Sequence, residues 1–315
     1  MQTLPSNEYL YEEAALLRLV PYVIQLWRVA GQVHLFHVMA NSGWSWHLFA
    51  APAVWIAKMR GVRSVVNYRG GEAETFLARS SGIVRGTLHR ASVLAVPSGF
   101  LQRVFGKSGF SSEVVPNIVD MERFRPHSVP RGNGVAHVVV ARNLEPIYDI
   151  GTALRAFKLV RQDIPNATMS LAGSGPERDA LKSLAKELGI ADAVTFCGSL
   201  NRDQMAELYR SASVVINPSR VDNMPNSVLE AMASGAPVVS TNVGGVPFIV
   251  QDDVNGLLVP AGDHTAMASA VKRVLRDPHC ADRLRGAALS EVQAYAWPRV
   301  RQRWIEVYAM ALSGA

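Results

Sequence analysis

The chain has 315 residues, of which 49% are hydrophobic, and its 32 basic and 26 acidic side chains leave a net charge of +6. That length admits two domains, and the apolar content excludes a natively disordered chain. Two distant cysteines, Cys197 and Cys280, match no disulfide or metal-ligand spacing and fit a reducing cytosol, and no basic run with interleaved aromatics points to nucleic acid.

Met1–Glu13 carries acids and no basic start, so no signal peptide is expected. Ala14–Val29 is apolar but interrupted by Arg18, Pro21 and Arg28, and it is too short to span a bilayer. The pattern predicts a core-facing helix over 7–29. The basic excess suits an anionic membrane surface or a phosphate-bearing substrate, and it is equally compatible with an incidental surplus.

Strands and helices then alternate. Strands are predicted over 32–40, Ser64–Tyr68, Ser92–Val96 and Ser112–Val115, with helices over 45–60, 82–90 and 99–108 between them. Alternation of this kind specifies a parallel sheet with covering helices. Residues 117–134, rich in proline and glycine and without a clear period, are the expected linker between a first domain at 1–116 and a second at 135–296.

The second half repeats the pattern more regularly. Strands are predicted at Ala136–Val140, Ala167–Ala172, Ala193–Cys197, Val214–Ile216 and Pro237–Ser240. Helices are predicted over 149–162, 177–188, 202–211, 228–233, 264–276 and 280–295, followed by a last helix, Trp297–Leu312. Gly173-Ser174-Gly175-Pro176 follows a strand and is fully explained as a tight turn before a helix. Arg142 follows the strand 136–140, where a guanidinium can grip a diphosphate bidentately or simply lie solvated.

Residues 213–245 are the most informative stretch. Strand 214–216 runs into turn residues Asp222-Asn223-Met224-Pro225-Asn226-Ser227, then a short helix closed by Gly235, then the next strand and Gly244-Gly245. Asp222 sits at the carboxyl end of a strand, where open α/β sheets bind ligands. Glu230, separated from Asp222 by seven residues, is a carboxylate in an otherwise apolar helix and needs a partner. Vicinal sugar hydroxyls suit it, because two O–H donors meet two carboxylate oxygens. Two acids at this spacing on a surface helix usually mean nothing; the flanking strands and glycines give the pair its weight.

The run Glu230-Ala231-Met232-Ala233-Ser234-Gly235-Ala236-Pro237-Val238-Val239 resembles the signature of the family 4 retaining glycosyltransferases (glycosyl transferases group 1). The resemblance implies a GT-B fold: two Rossmann-like parallel-sheet domains facing a cleft, with the last helix, 297–315, crossing back to the first domain. It implies that Glu230 holds the nucleotide ribose, Asp222 lies near the donor sugar, and Arg142 binds and stabilises the leaving diphosphate. Gly173 and Gly175 are then expected to line the nucleotide cleft, Leu200 to meet the base, and Asn223, Met224, Asn226 and Ser227 to form the loop around the donor. On the acceptor side, Arg69 stands where relatives carry a histidine. It either holds an anionic acceptor such as a lipid phosphate or pairs with Glu72 or Glu74. His37 either lines the cleft or is a half-buried structural histidine.

Three departures from the pattern bear on these expectations. Asp222 replaces the commoner glutamate. Pro225 removes a backbone donor that the family often aims at the sugar. The lysine expected after Arg142 is replaced by Tyr148, with Asp149 where a glycine is usual. The sequence also opens on a helix, without the strand and glycine-rich loop that begin a complete GT-B first domain. The expected reading is a fragment or a misassigned start; a shortened working enzyme and a degenerate protein that binds without turnover are the alternatives. Low solubility or weak activity of this chain by itself is the corresponding expectation.

The expected activity is transfer of a sugar, with retention and without a metal, from a UDP- or GDP-sugar to a glycan or lipid-linked acceptor in bacterial exopolysaccharide or cell-envelope assembly. The expected location is cytoplasmic, peripheral at the inner face of the membrane. The alternative is a non-catalytic GT-B protein that binds a nucleotide or a partner.

Overall fold

The structure, a computed structural model, describes residues 19–71, 73–79, 81–126 and 135–314. The first part of the helix expected over 7–29, the residue Glu72 and residues 127–134 of the expected linker lie outside these. The chain divides into two compact units, one of Met1–Pro116 with Arg301–Ala315 and one of Asn117–Val300.

In the first unit, helix α1 is present over 19–29. Strand β1 (Leu35–Ala40) follows, then a π-helical turn (Trp46–Ala50) running into α2 (Ala51–Met59), then β2 (Arg63–Tyr68). Helices α3 (Ala73–Arg79) and α4 (Ser81–Leu88), strand β3 (Val93–Val96), helix α5 (Gly99–Lys107) and the short β4 (Glu113–Val114) complete the run. The sheet is parallel with order β1-β2-β3-β4. Strands β2 and β3 are β-branched runs buried on both faces, as parallel sheets require. Ser98 caps α5, its side chain accepting from the Leu101 N–H. Helix α3 was not expected: its seven residues bury only Ala73, Phe76 and Leu77, and the Arg69-Gly70-Gly71 start reads as loop.

The second unit holds β5 (His137–Ala141), α6 (Ile150–Asp163), β6 (Thr168–Ala172), α7 (Arg178–Glu187), β7 (Val194–Gly198), α8 (Arg202–Ser211), β8 (Val214–Asn217), α9 (Asn226–Ala233), β9 (Val238–Thr241), β10 (Leu257–Val259), α10 (His264–Arg276) and α11 (Pro278–Glu291). Helix α12 (Trp297–Ser313) begins here, and from Arg301 onward its residues pack with the first unit. The sheet is parallel in the order β10-β9-β8-β5-β6-β7. This is the doubly wound arrangement, with the direction of travel reversing between β5 and β8. Strand β10 was not expected, because three residues, Leu257–Val259, give too short an apolar run to separate from loop. The described part of the linker segment, 117–126, packs on this unit: Val119 and Phe124 are buried, and the Val119 N–H donates to the Tyr295 carbonyl at 3.0 Å.

The second unit has apolar layers on both faces of its sheet. Val138, Val140, Leu154 and Phe157 lie in one, Val139, Val215, Leu229 and Met232 in the other. Fully buried side chains of this kind each contribute about 1.5–3 kcal/mol. The layers fix the strand ends, and with them the loops that carry polar side chains.

Candidate functional site at the sheet reversal

Strands β5 and β8 are hydrogen-bonded neighbours whose connections run to opposite faces, so their carboxyl ends splay apart and leave a crevice. Arg142 follows β5 and Asp222 lies in the loop after β8. The two form a buried ion pair, Arg142 Nη2 to Asp222 Oδ2, with side chains only 12% and 11% exposed. Arg142 Nε donates to Asn217 Oδ1 at 2.9 Å. Asn217 is held in turn, donating through Nδ2 to Ser240 Oγ at 2.9 Å and accepting from Ser219 Oγ at 2.8 Å. The guanidinium is therefore oriented across the reversal by a fully buried amide. Its centre lies 5.0 Å from the ring centroid of Tyr148, the residue standing where a lysine was expected. Burial pushes the Arg142 pKa down to about 10, against the attraction of Tyr148, Tyr209 and Glu230, so it is a cation at neutral pH.

Glu230 lies on α9, whose apolar residues Val228, Leu229 and Met232 dock the helix on the sheet. Its carboxylate accepts a hydrogen bond from the hydroxyl of Tyr209 at 3.3 Å. Burial raises its pKa, while the Tyr209 hydrogen bond and the charges of Arg202 and Arg142 pull it back. A cavity of about 320 Å³ brings Arg142, Gly173, Leu200, Ser227 and Glu230 together, with Ser199, Met205 and Tyr209 among its other walls. Asp222 meets this set through Arg142.

Gly173 and Gly175 act through the backbone. The Leu144 N–H donates to the Ser174 carbonyl at 2.9 Å and the Arg142 N–H to the Ala172 carbonyl at 3.0 Å, so the two loops lie against each other. A Cβ at Gly173 would overlap the Arg142 carbonyl oxygen, and one at Gly175 the Leu144 carbonyl oxygen. Gly244 and Gly245 do the same for the acidic loop: a Cβ on either would overlap the carbonyl oxygens of Asp222 and Asn223 respectively, and the Gly245 N–H donates to Asp222 at 2.8 Å.

The remaining expected residues lie elsewhere. Met224 is buried, and Asn117 donates to its carbonyl at 3.0 Å and to Asn226 Oδ1 at 2.7 Å, so Met224 and Asn226 tie the loop to the 117 segment. Asn223 is buried and is not among the cavity walls. Arg69 lies in the first unit and donates from Nε to Asn67 Oδ1 at 3.0 Å; Glu74 pairs with Lys107 at 3.9 Å. The Asn67 amide donates to His37 Nε2 at 3.0 Å, which places the imidazole proton on Nδ1, 2.7 Å from the Tyr308 hydroxyl. His37 thus anchors α12, with its ring 4.5 Å from that of Trp304.

Tyr209 and Met205, within the helix expected over 202–211, and Asn217, just past the strand expected over 214–216, were not singled out from the sequence. A larger cavity, about 780 Å³, is lined by Asp120, Glu122, Arg123, Arg125, Asp203 and Arg210, and within it Arg123 pairs with Asp203 at 2.9 Å. Among the described residues, no three His, Cys, Asp or Glu side chains gather into a metal-binding group, and no helix is long and apolar enough to cross a membrane.

Comparison with known proteins places this geometry in a family. The chain is 33% identical over 229 residues to the D-inositol 3-phosphate glycosyltransferase of Saccharomonospora viridis, covering 68% of this chain and 53% of that protein. It spans about half the length of the curated relatives it matches. Among solved structures it superposes on the sucrose-phosphate synthase of Thermosynechococcus elongatus with a TM-score of 0.79 at 23% identity, over 99% of this chain and 82% of that one. Anabaena HepE, crystallised with UDP, gives 0.79 at 18% identity over 92% and 82%. These likenesses establish the GT-B fold. The family model for glycosyl transferases group 1 matches residues 125–290, which include every wall of the 320 Å³ cavity, and the chain belongs to that family.

Proposed function

We propose that this chain takes part in transfer of a sugar, with retention, from a nucleotide-sugar to a glycan or lipid-linked acceptor in bacterial exopolysaccharide or cell-envelope assembly. The observation that carries the reading is the cavity at the β5–β8 reversal, where one largely buried cation and one half-buried carboxylate face a single space. In this reading Leu200 and Ser199 meet the base, Glu230 accepts from the ribose hydroxyls and Arg142 takes the diphosphate. UDP in the HepE structure and the sugar-transfer names of the relatives support a nucleoside diphosphate as the ligand.

Asp222 gains its role when the diphosphate arrives. The incoming phosphate oxygens compete for Arg142, and the carboxylate they displace turns to the donor sugar together with Ser227. The bond from the anomeric carbon to the phosphate oxygen then breaks as the acceptor oxygen attacks the same face. The acceptor proton passes to the departing phosphate. Negative charge grows on that phosphate, and a pre-positioned guanidinium in a dry site stabilises it without a metal ion.

The acceptor side of the proposal rests on charge. The first unit holds 13 basic and 7 acidic residues and the second 19 of each, so the net +6 belongs wholly to the first. Residues 14–71 contain no acid at all. On α1, Val20, Ile24 and Trp27 are exposed at helical spacing beside Arg28, and Arg60 stacks on Trp27 at 5.0 Å. Exposed apolar and aromatic side chains in a basic segment of sequence suit an anionic bilayer at the inner side of a membrane. Arg69 is then a candidate for an acceptor phosphate.

The test is transfer from UDP- and GDP-hexoses onto membrane extracts, with and without a chelator, with product anomers read by NMR and protein sedimented with phosphatidylglycerol or phosphatidylcholine vesicles. The expected result is chelator-resistant release of the nucleoside diphosphate, retained configuration and sedimentation only with the anionic vesicles. Nucleotide binding without transfer favours the binding-protein alternative, to which Tyr148 in place of a lysine lends support.

A further inference from the structure

Glu230 is an ionisable group on a helix whose buried residues are apolar, and Arg142, the one cation among the described lining residues, is already paired with Asp222. The side-chain hydrogen bond recorded for its carboxylate comes from Tyr209 on the neighbouring helix α8. Tyr209 itself is only 1% exposed. Its ring packs 6.1 Å from Phe124 and within the apolar layer that includes Val215, Val228 and Met232. A phenol so enclosed has little freedom to turn its hydroxyl elsewhere, and its O–H can only donate to a carboxylate. It holds Oε2 and so narrows the range of orientations open to the carboxylate.

We propose that Tyr209 is the positioning residue for ribose recognition: its hydroxyl holds the Glu230 carboxylate in the orientation that accepts two vicinal ribose hydroxyls. The inference rests on the reading of this cavity as the donor-nucleotide site and adds to it a residue on a different helix. Its physical basis is pre-organisation. A carboxylate held by one charge-assisted hydrogen bond does not have to be ordered when the ligand binds. A free carboxylate at the same place would lose rotamer entropy on binding and offer its lone pairs in a spread of directions.

The experiment compares the whole chain with Tyr209→Phe and Glu230→Gln, measuring dissociation constants for UDP, GDP and ADP and for their 2′-deoxy forms. Tyr209→Phe keeps the ring and its packing and removes only the hydroxyl. The parent should prefer the ribonucleotide. In Tyr209→Phe the ribonucleotide should bind about tenfold more weakly, the loss expected for one hydrogen bond to a charged group. The deoxynucleotide should be nearly unaffected, so the ribose preference shrinks towards one. The pH dependence gives a second readout. Arg142 from the loop after β5, and Arg202 and Tyr209 from α8, are the groups facing Glu230, and each favours its ionised form. Without the hydroxyl, ribonucleotide binding should fall off at a higher pH on acidification than in the parent.

Equal weakening of ribo- and deoxynucleotides in Tyr209→Phe, with the preference intact, would overturn the positioning role and leave the donor site standing. A parent that binds nucleotides with no ribose preference would overturn the role of Glu230 and this inference with it. A parent that binds none of the six would overturn the reading of the cavity as well.

Discussion

Arg142 and Asp222 form the most consequential pair in the molecule, because their side chains are only 12% and 11% exposed and have little solvent to fall back on. Removing one partner of a buried pair usually costs about 3–5 kcal/mol, since the other charge is stranded. Asp222→Ala should therefore destabilise the ligand-free protein by an amount of that order. A nucleoside diphosphate restores negative charge beside Arg142, so the stabilisation it gives to Asp222→Ala should exceed the stabilisation it gives to the parent. Paired thermal melts with and without UDP or GDP measure both terms; equal ligand-induced shifts in the two proteins would contradict the account. Asp222, Glu230 and Arg142 could be picked out in the sequence as candidates because flanking strands and glycines placed them near strand ends, and the fold puts them there. Tyr209 and Asn217 were not readable. Their functional groups act through a partner distant in the chain, and a tyrosine in an amphipathic helix carries no local mark of its hydrogen bond.

Whole elements followed from the sequence wherever burial on both faces left a continuous β-branched run, as in β5 and β8. Short elements did not: α3 and β10 owe their form to the layer they cover rather than to their own period. Helix α12 illustrates packing that only the fold reveals, since Trp304 and Tyr308 reach His37 across more than 260 residues of chain. His37 and His137 are both held below the usual 6.5, chiefly by burial. As pH falls through 6.5, the unfolded chain takes up protons that the folded chain refuses, so stability declines on acidification until the folded values are passed. Denaturant midpoints between pH 8 and 5 should fall, and His37→Gln and His137→Asn should each flatten that fall. His137 should matter more, because its ring is the more enclosed. A slope unchanged in both variants would remove these histidines from the explanation.

At the scale of the molecule, the doubly wound order of the second unit explains why its polar residues converge. Arg142, Gly173, Leu200 and Asp222 each follow a different strand, and a parallel sheet brings all of those strand ends to one edge. The reversal between β5 and β8 then opens that edge into a cavity. The first unit carries the charge and the exposed apolar helix face, the second the buried site. The central claim is that the second unit's cavity holds a nucleoside diphosphate through Glu230. The most direct measurement is a thermal-shift titration of the chain with UDP, GDP and ADP beside Glu230→Ala. At about 100 times the dissociation constant, a ligand that binds only the folded state adds roughly 2.7 kcal/mol. The account predicts that one of the three nucleotides raises the melting temperature of the parent and that this rise is largely lost in Glu230→Ala. An equal rise in both proteins, or none in the parent at saturating nucleotide, would contradict it.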